Sequence, residues 1–146
     1  MTRLIGDLAH KANTDPSIKC IMWYGTERVF STGIELRPFL TAEKITMDIV
    51  KPPIEDGYHM FKSLLYCEKP VVAVIRGPAI GNGITAISFA DFVFVTPDVR
   101  FGAPFVGSFM SPEGSATVMF PTLMGQRKAN EVLLLDKMIS AKEAVQ

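Results

Sequence analysis

Apolar residues fall along this chain at two spacings, and the spacing changes several times between the termini. Leu4, Ile5, Leu8, Ala9 and Ala12 recur at helical intervals, and Asp15-Pro16-Ser17 ends that helix in a turn. Ile18 to Tyr24 reads as a strand, Thr26-Glu27-Arg28 as a turn, and Val29-Phe30 as a short apolar step. Ser31 to Glu35 is too small and polar for a core strand and is expected to be a loop. From Leu36 to Pro53 the pattern is weak, which predicts an irregular stretch. Tyr58, Phe61, Leu64 and Leu65 restore helical spacing, with Pro52-Pro53 at the start of that helix and Lys69-Pro70 beyond its end.

Val71 to Ile75 is the second clear strand. It breaks at Gly77-Pro78 into a glycine turn that leads to a short helix carrying Ile84, Ile87 and Ser88. Phe92 to Val95 is a third strand, and Thr96-Pro97-Asp98 turns into Val99 to Gly102. A Gly-, Ser- and Pro-rich loop follows over Ala103 to Gly114, then a short helical stretch around Thr117 to Phe120 that Pro121 interrupts. Gln126 to Leu135 is amphipathic, and Ser140 with Glu143 has the spacing of a capping box at the start of another helix. Strands alternating with helices, without repeats, predict α/β layering in one domain.

Composition narrows the class. With 146 residues, 48% hydrophobic and 21% charged, the chain can bury a core, so disorder is not expected. Fifteen basic and fifteen acidic residues cancel, with no long run of one sign, which gives no reason to expect nucleic acid or an anionic membrane as partner. The N-terminus carries no basic leader followed by an apolar core, and the longest apolar runs are too short to span a bilayer, so a soluble chain is expected. Cys20 and Cys67 are expected to be buried or half-buried free thiols, and they form no metal-ligand pattern with His10 or His59.

The glycine turn is the first candidate for chemistry. A turn of this kind aims backbone N–H groups at a ligand, and the opening of a helix adds the positive end of its dipole. Gly81-Asn82-Gly83-Ile84-Thr85-Ala86 fits the loose form G-x-G-x-x-G/A of dinucleotide sites. The fit fails in context: Arg76 to Ile80 separate the glycines from the strand, and Asp98 lies in a turn before a strand rather than closing one. No Gly-Lys-Ser/Thr follows, which excludes the P-loop form.

Three segments taken together carry a more specific resemblance: Phe30-Ser31-Thr32-Gly33-Ile34-Glu35-Leu36, Gly77-Pro78-Ala79-Ile80-Gly81, and Ser111-Pro112-Glu113-Gly114. With Lys69-Pro70 before the second strand and Asp91 closing the helix, the chain resembles the enoyl-CoA hydratase/isomerase (crotonase) superfamily over nearly its whole length. Within it, the chain is most similar to the peroxisomal type of Δ3,Δ2-enoyl-CoA isomerase. The resemblance implies a partial crotonase-like ββα spiral fold of the α/β class, with residues 1–146 lacking the first strands and the C-terminal helices of the full domain. It also implies an acyl-CoA thioester as substrate, without a further cofactor or metal, and assembly as a homotrimer. Peroxisomal relatives carry a C-terminal Ser-Lys-Leu-like address, which Ala144-Val145-Gln146 does not provide, so the alternative location is cytoplasmic.

The same resemblance assigns the site. The backbone N–H groups of Ile34 and Asn82 would hold the thioester oxygen as an enolate forms, an arrangement in which each donor contributes about 10²–10³ in rate. Ser31, Thr32, Gly33, Ile34, Glu35 and Gly81 would line the substrate, with Glu35 holding its loop in shape. Hydratases of the family use two glutamates, and the matching positions here hold Thr85 and Phe105, neither of which can transfer a proton in that role. Isomerisation needs one carboxylate, and Glu113 stands where the isomerase type places it. Its neighbours Phe109, Met110, Val118 and Phe120 would keep the carboxylate poorly solvated and raise its pKa. Two other readings stay open: a non-catalytic acyl-CoA binding or interaction fragment of the same fold, and acyl-chain tailoring in specialised metabolite synthesis. Arg28 and Lys62 are read as solvated charges, and Met47, Met60, Met110, Met119 and Met124 as core filler.

Overall fold

The computed structural model describes residues 1–26 and 28–145; Glu27, in the expected turn after the first strand, and Gln146 lie outside the described residues. The chain divides into two compact units, one formed by residues 1–21 and 34–70, the other by residues 22–33 and 71–146.

The first unit is helical. Helix α1 (Thr2–Thr14) ends where Asp15 leaves helical geometry, its N–H still reaching the Lys11 carbonyl, and the Asp15 carboxylate then accepts from the Ser17 N–H at 2.9 Å. Ala9 and Ala12 are buried on the face of α1 that meets α3 (Met47–Leu65), which buries Met60 and Leu64. Polar contacts flank the seam, an ion pair from Arg3 to Asp56 at 3.4 Å and a hydrogen bond between His59 and Asp7 at 2.8 Å. Asn13 ties the two helix ends together, donating to the Tyr66 carbonyl at 2.7 Å and accepting from the Glu68 N–H at 2.7 Å.

Several expectations fail in this unit. The stretch from Leu36 to Pro53 is not irregular: it forms the short α2 (Arg37–Thr41) and the first turns of α3. Pro52 and Pro53 therefore lie inside α3 rather than at its start, where they remove the N–H groups that would reach the Asp48 and Ile49 carbonyls. Thr46 begins the helix instead, its carbonyl accepting from the Ile49 and Val50 N–H groups, so a turn already exists before the prolines. Cys20 is exposed because it lies before β1 (Ile21–Tyr24), which is shorter than the expected strand; Cys67 is half-buried as expected. Met60 is buried, whereas Met47 is exposed.

The second unit holds two three-stranded sheets. One has the order β1-β2-β4, in which β2 (Val71–Ile75) pairs in parallel with β4 (Phe92–Val95), Val72 opposite Phe92 and Ile75 opposite Val95. Asp91 fixes the start of that ladder, its carboxylate accepting from the Val71 N–H at 2.8 Å while its own N–H donates to the Val71 carbonyl at 2.9 Å. The other sheet has the order β3-β5-β6: β3 (Ala79–Ile80) runs parallel to β5 (Arg100–Gly102), and β5 runs antiparallel to β6 (Ile139–Ser140). Neither β3 nor β6 shows in the hydrophobic pattern, because each is two residues long. Helix α4 (Asn82–Ile87) follows β3, and α5 (Ala116–Met124) and α6 (Gln126–Leu135) precede β6. Pro121 does not interrupt α5; the helix runs on to Met124, closed by the Gly125 N–H on the Pro121 carbonyl at 3.0 Å. The capping box is formed at α7 (Ala141–Ala144), with the Glu143 N–H on Ser140 Oγ at 3.3 Å and the Ser140 N–H on Glu143 Oε2 at 3.0 Å.

The core of this unit joins Ile75, Val99, Phe101, Phe120 and Val132, all nearly inaccessible, and the Trp23 and Phe30 rings pack at its margin with centroids 5.3 Å apart. Burying side chains of this size is worth about 1.5–3 kcal/mol each against exposure, which holds the sheets and helices of the unit together. Among the described residues no helix is long and apolar enough to cross a membrane, and no group of three or more His, Cys, Asp or Glu side chains could hold a metal ion.

Candidate functional site

Two backbone segments meet at the mouth of β3. Ser31 forms a parallel bridge with Ala79, its carbonyl accepts from the Ile80 N–H at 2.8 Å, and its own N–H reaches the Pro78 carbonyl at 3.1 Å. These bonds bring the Ser31–Gly33 loop against the glycine turn so closely that a side chain would not fit between them. A Cβ on Gly83 would lie 2.8 Å from the Ser31 Cβ, and one on Gly33 would lie 3.3 Å from the Ile80 carbonyl oxygen and 3.7 Å from the Asn82 nitrogen. Gly81 sits at φ 56°, a conformation that side chains resist, and from there the chain enters α4. Asn82 is thus the first residue of α4, whose opening N–H groups have no acceptor within the helix.

Glu113 arrives from the loop between β5 and α5. The chain reverses just after it, Gly114 and Ser115 both taking positive φ before α5 starts, and the Glu113 carbonyl accepts from the Ala116 N–H at 3.1 Å. Its half-buried carboxylate meets two side chains of α4. Thr85, completely buried, donates its hydroxyl to Glu113 Oε1 at 3.0 Å. With the Asn82 amide turned so that its nitrogen faces the carboxylate, the orientation that leaves no acceptor against an acceptor, Asn82 donates to Oε1 at 2.7 Å and to Oε2 at 3.0 Å. Burial pushes the Glu113 carboxyl above its ordinary range, and the Thr85 hydroxyl offsets part of that rise. The expected apolar fence around Glu113 is not there, since Phe109 and Val118 are exposed and Met110 is partly so; only Phe120 is fully buried.

The structure therefore brings Ser31, Gly33, Gly81, Asn82 and Glu113 into one cluster within one unit, while Thr32 is exposed. Ile34 and Glu35 belong to the other unit. There, Glu35 accepts from Arg37 at 2.7 Å and from the Arg37 N–H at 3.1 Å, which hold its carboxyl down at about 2 and brace the turn into α2. Phe105 is buried and apolar, as its place in the core cluster requires. The residues that sequence reasoning left out are the side chains of Asn82 and Thr85 as partners of Glu113. Their separation of three positions on one helix, which puts both on the same face, was the available signal. A cavity of about 610 Å³ opens on the opposite face of α4, lined by Ile84, Ile87, Phe101 and Phe120; Asn82, Thr85 and Glu113 do not line it.

A half-buried carboxylate held by two side-chain donors can accept a proton and give it back. Residues 2–146 match the family described as enoyl-CoA hydratase/isomerase. The chain is 33% identical over 141 residues to a mouse protein, enoyl-CoA delta isomerase 3, peroxisomal, covering 94% of this chain and 44% of that one. It is 38% identical over 137 residues to human enoyl-CoA delta isomerase 2, covering 91% and 34%, and 38% identical over 129 residues to mouse chromodomain Y-like protein, covering 86% and 21%. The crystal structure of an enoyl-CoA hydratase/isomerase from Pseudoalteromonas atlantica superposes with a TM-score of 0.85 at 26% identity, over 99% of this chain and 54% of that one. The chain spans less than half the length of the first two of these relatives and about half of the solved structure. Its helices and strands form part of a crotonase-like fold, and the chain belongs to the enoyl-CoA hydratase/isomerase family.

Proposed function

We propose that this chain carries the acid–base centre of an acyl-CoA isomerase that moves a 3-enoyl double bond to the 2-position. One observation carries the reading: the carboxylate of Glu113, half-buried, is hydrogen-bonded to the two α4 side chains that follow the glycine turn, whereas the positions that would complete a hydratase pair are Thr85 and Phe105. The names of the mouse and human isomerase relatives support it.

In the proposed step Glu113 removes a proton from C2 of the 3-enoyl thioester. The electron pair left at C2 spreads through C1 to the thioester oxygen and, through the C3–C4 double bond, to C4, giving a dienolate. The Asn82 N–H receives that developing charge, and the sequence pattern supplies the Ile34 N–H as a second donor. Protonated Glu113 then returns the proton at C4, the double bond comes to rest between C2 and C3, and the carboxylate is regenerated. No water is added, which accords with Thr85 and Phe105 at the positions that would complete a hydratase pair. Formation of 2-enoyl thioester from a 3-enoyl-CoA tests the reading; Glu113→Gln is expected to lower that rate by about 10² or more, and an unchanged rate refutes it.

A second reading, an acyl-CoA binding or interaction role without turnover, is favoured by the 38% identity to chromodomain Y-like protein. It predicts thioester binding by calorimetry with no isomerisation. The mouse relative's name also suggests a peroxisomal location, which imaging of the tagged chain would decide.

A further inference from the structure

We propose that the side chains of Asn82 and Thr85 are positioning residues for Glu113, fixing the carboxylate on the α4 side of its loop and favouring its ionised form. The proposal rests on the acid–base role given to Glu113, and its geometry stands independently of the substrate. Asn82 and Thr85 lie one turn apart on α4, and both reach the same carboxylate, at 2.7, 3.0 and 3.0 Å. Three donor contacts on two oxygens leave the carboxylate little freedom to rotate. A charge-assisted bond is roughly twice as strong as a neutral one, so these donors favour the ionised form over the protonated one.

The surroundings leave this work to the two polar side chains. Burial opposes ionisation of Glu113, and among the described residues no charged group adds to the balance from any element around it. Thr85 is the one fully buried polar side chain of the chain's described core, and its hydroxyl has two acceptors within reach, Glu113 Oε1 at 3.0 Å and the Gly81 carbonyl at 3.4 Å. A hydroxyl has one proton to give. While Glu113 is ionised, that proton goes to the shorter, charged contact; once Glu113 is protonated, the hydroxyl can turn to Gly81. The Asn82 amide has the same two-sided capacity, its nitrogen facing a carboxylate and its oxygen able to accept from a carboxylic acid. The pair can therefore follow a proton on and off Glu113 without leaving a buried polar atom unpaired.

The test uses the 146-residue chain with ¹³C-labelled glutamate, the Glu113 carboxyl resonance being identified by its absence in Glu113→Gln. Thr85→Val keeps the volume and removes the donor; Asn82→Leu does the same at the half-buried position; Thr85→Ser restores a hydroxyl. The Glu113 titration is expected to move to higher pH in the first two variants and to return in Thr85→Ser. The acidic limb of the pH–rate profile should move with it, kcat at a pH below that limb falling about tenfold for each lost bond to the charged form, with KM changed much less. A titration unchanged in one variant overturns the role of that residue, and failure of Thr85→Ser to restore it overturns the role of the hydroxyl. Because the carboxyl titration needs no substrate, it decides the proposal even if the chain proves not to turn over a 3-enoyl thioester, the result that would sink the isomerase reading alone.

Discussion

In the proposed isomerisation Glu113 has to be ionised to take a proton and protonated to return it, so its surroundings must tolerate both states. Burial favours the protonated form, and the Thr85 hydroxyl pulls the other way. Proton removal from substrate should therefore fail as pH falls through the Glu113 titration, and Glu113→Gln should abolish that limb of the profile along with the rate. A rate measured across pH for both proteins checks this; an acidic limb that survives in Glu113→Gln would assign it to another group. The glutamate itself was legible in Ser111-Pro112-Glu113-Gly114, because a motif records residue type and order. What surrounds it was not legible. Phe109 and Val118, within five positions in sequence, are exposed, while Asn82 and Thr85, about thirty positions distant, provide the contacts. Local sequence does not encode which distant side chains a loop will meet.

At the level of elements, one glycine in α1 and one in α3 invite opposite outcomes from one substitution. Gly57 lies in the middle of α3 with nothing within 4 Å of an added Cβ, so Gly57→Ala should stabilise the chain by about 0.5–1 kcal/mol through helix propensity. Gly6 sits against α3, where a Cβ would come 2.6 Å from the His59 ring, itself held to Asp7, and 3.1 Å from the Met60 backbone. Gly6→Ala should therefore destabilise it, by about 1–3 kcal/mol as overpacking does. Urea midpoints of the two variants check both signs, and a common sign would refute the packing argument. Ser140→Ala removes one arm of the capping box on α7 and should cost about 1 kcal/mol in the same assay. Regular elements were readable where apolar spacing is strict, as in α6, which spans the predicted Gln126–Leu135. The pattern misplaces the start of α3 and the course of α5, because proline marks a helix entry in the first and an interruption in the second, whereas both helices run through their prolines.

The chain as a whole titrates in two directions. Glu35 and Glu143 are held at about 2, the first by Arg37 and the second chiefly by Lys128, so their contribution to stability is present above the ordinary carboxylate range and is lost as pH falls toward that value. Glu113 has the opposite sign. Its folded-state pKa is raised, so its protonated form favours folding, and that contribution is full at low pH and is lost as pH rises through the folded value. The rise in pH that ionises the proposed base therefore draws on the stability of the fold that holds it, within one window. Comparison with Glu113→Gln isolates the effect, since glutamine stays neutral throughout while Glu35 and Glu143 titrate alike in both proteins. As pH rises through the Glu113 titration, the thermal midpoint of the unaltered chain should fall relative to that of Glu113→Gln while its isomerisation rate climbs. Differential scanning calorimetry at a series of pH values, paired with the thioester assay, measures both curves. A midpoint difference that stays constant across the window would show that the fold does not oppose ionisation of Glu113, and the burial argument for its raised pKa would fall with it.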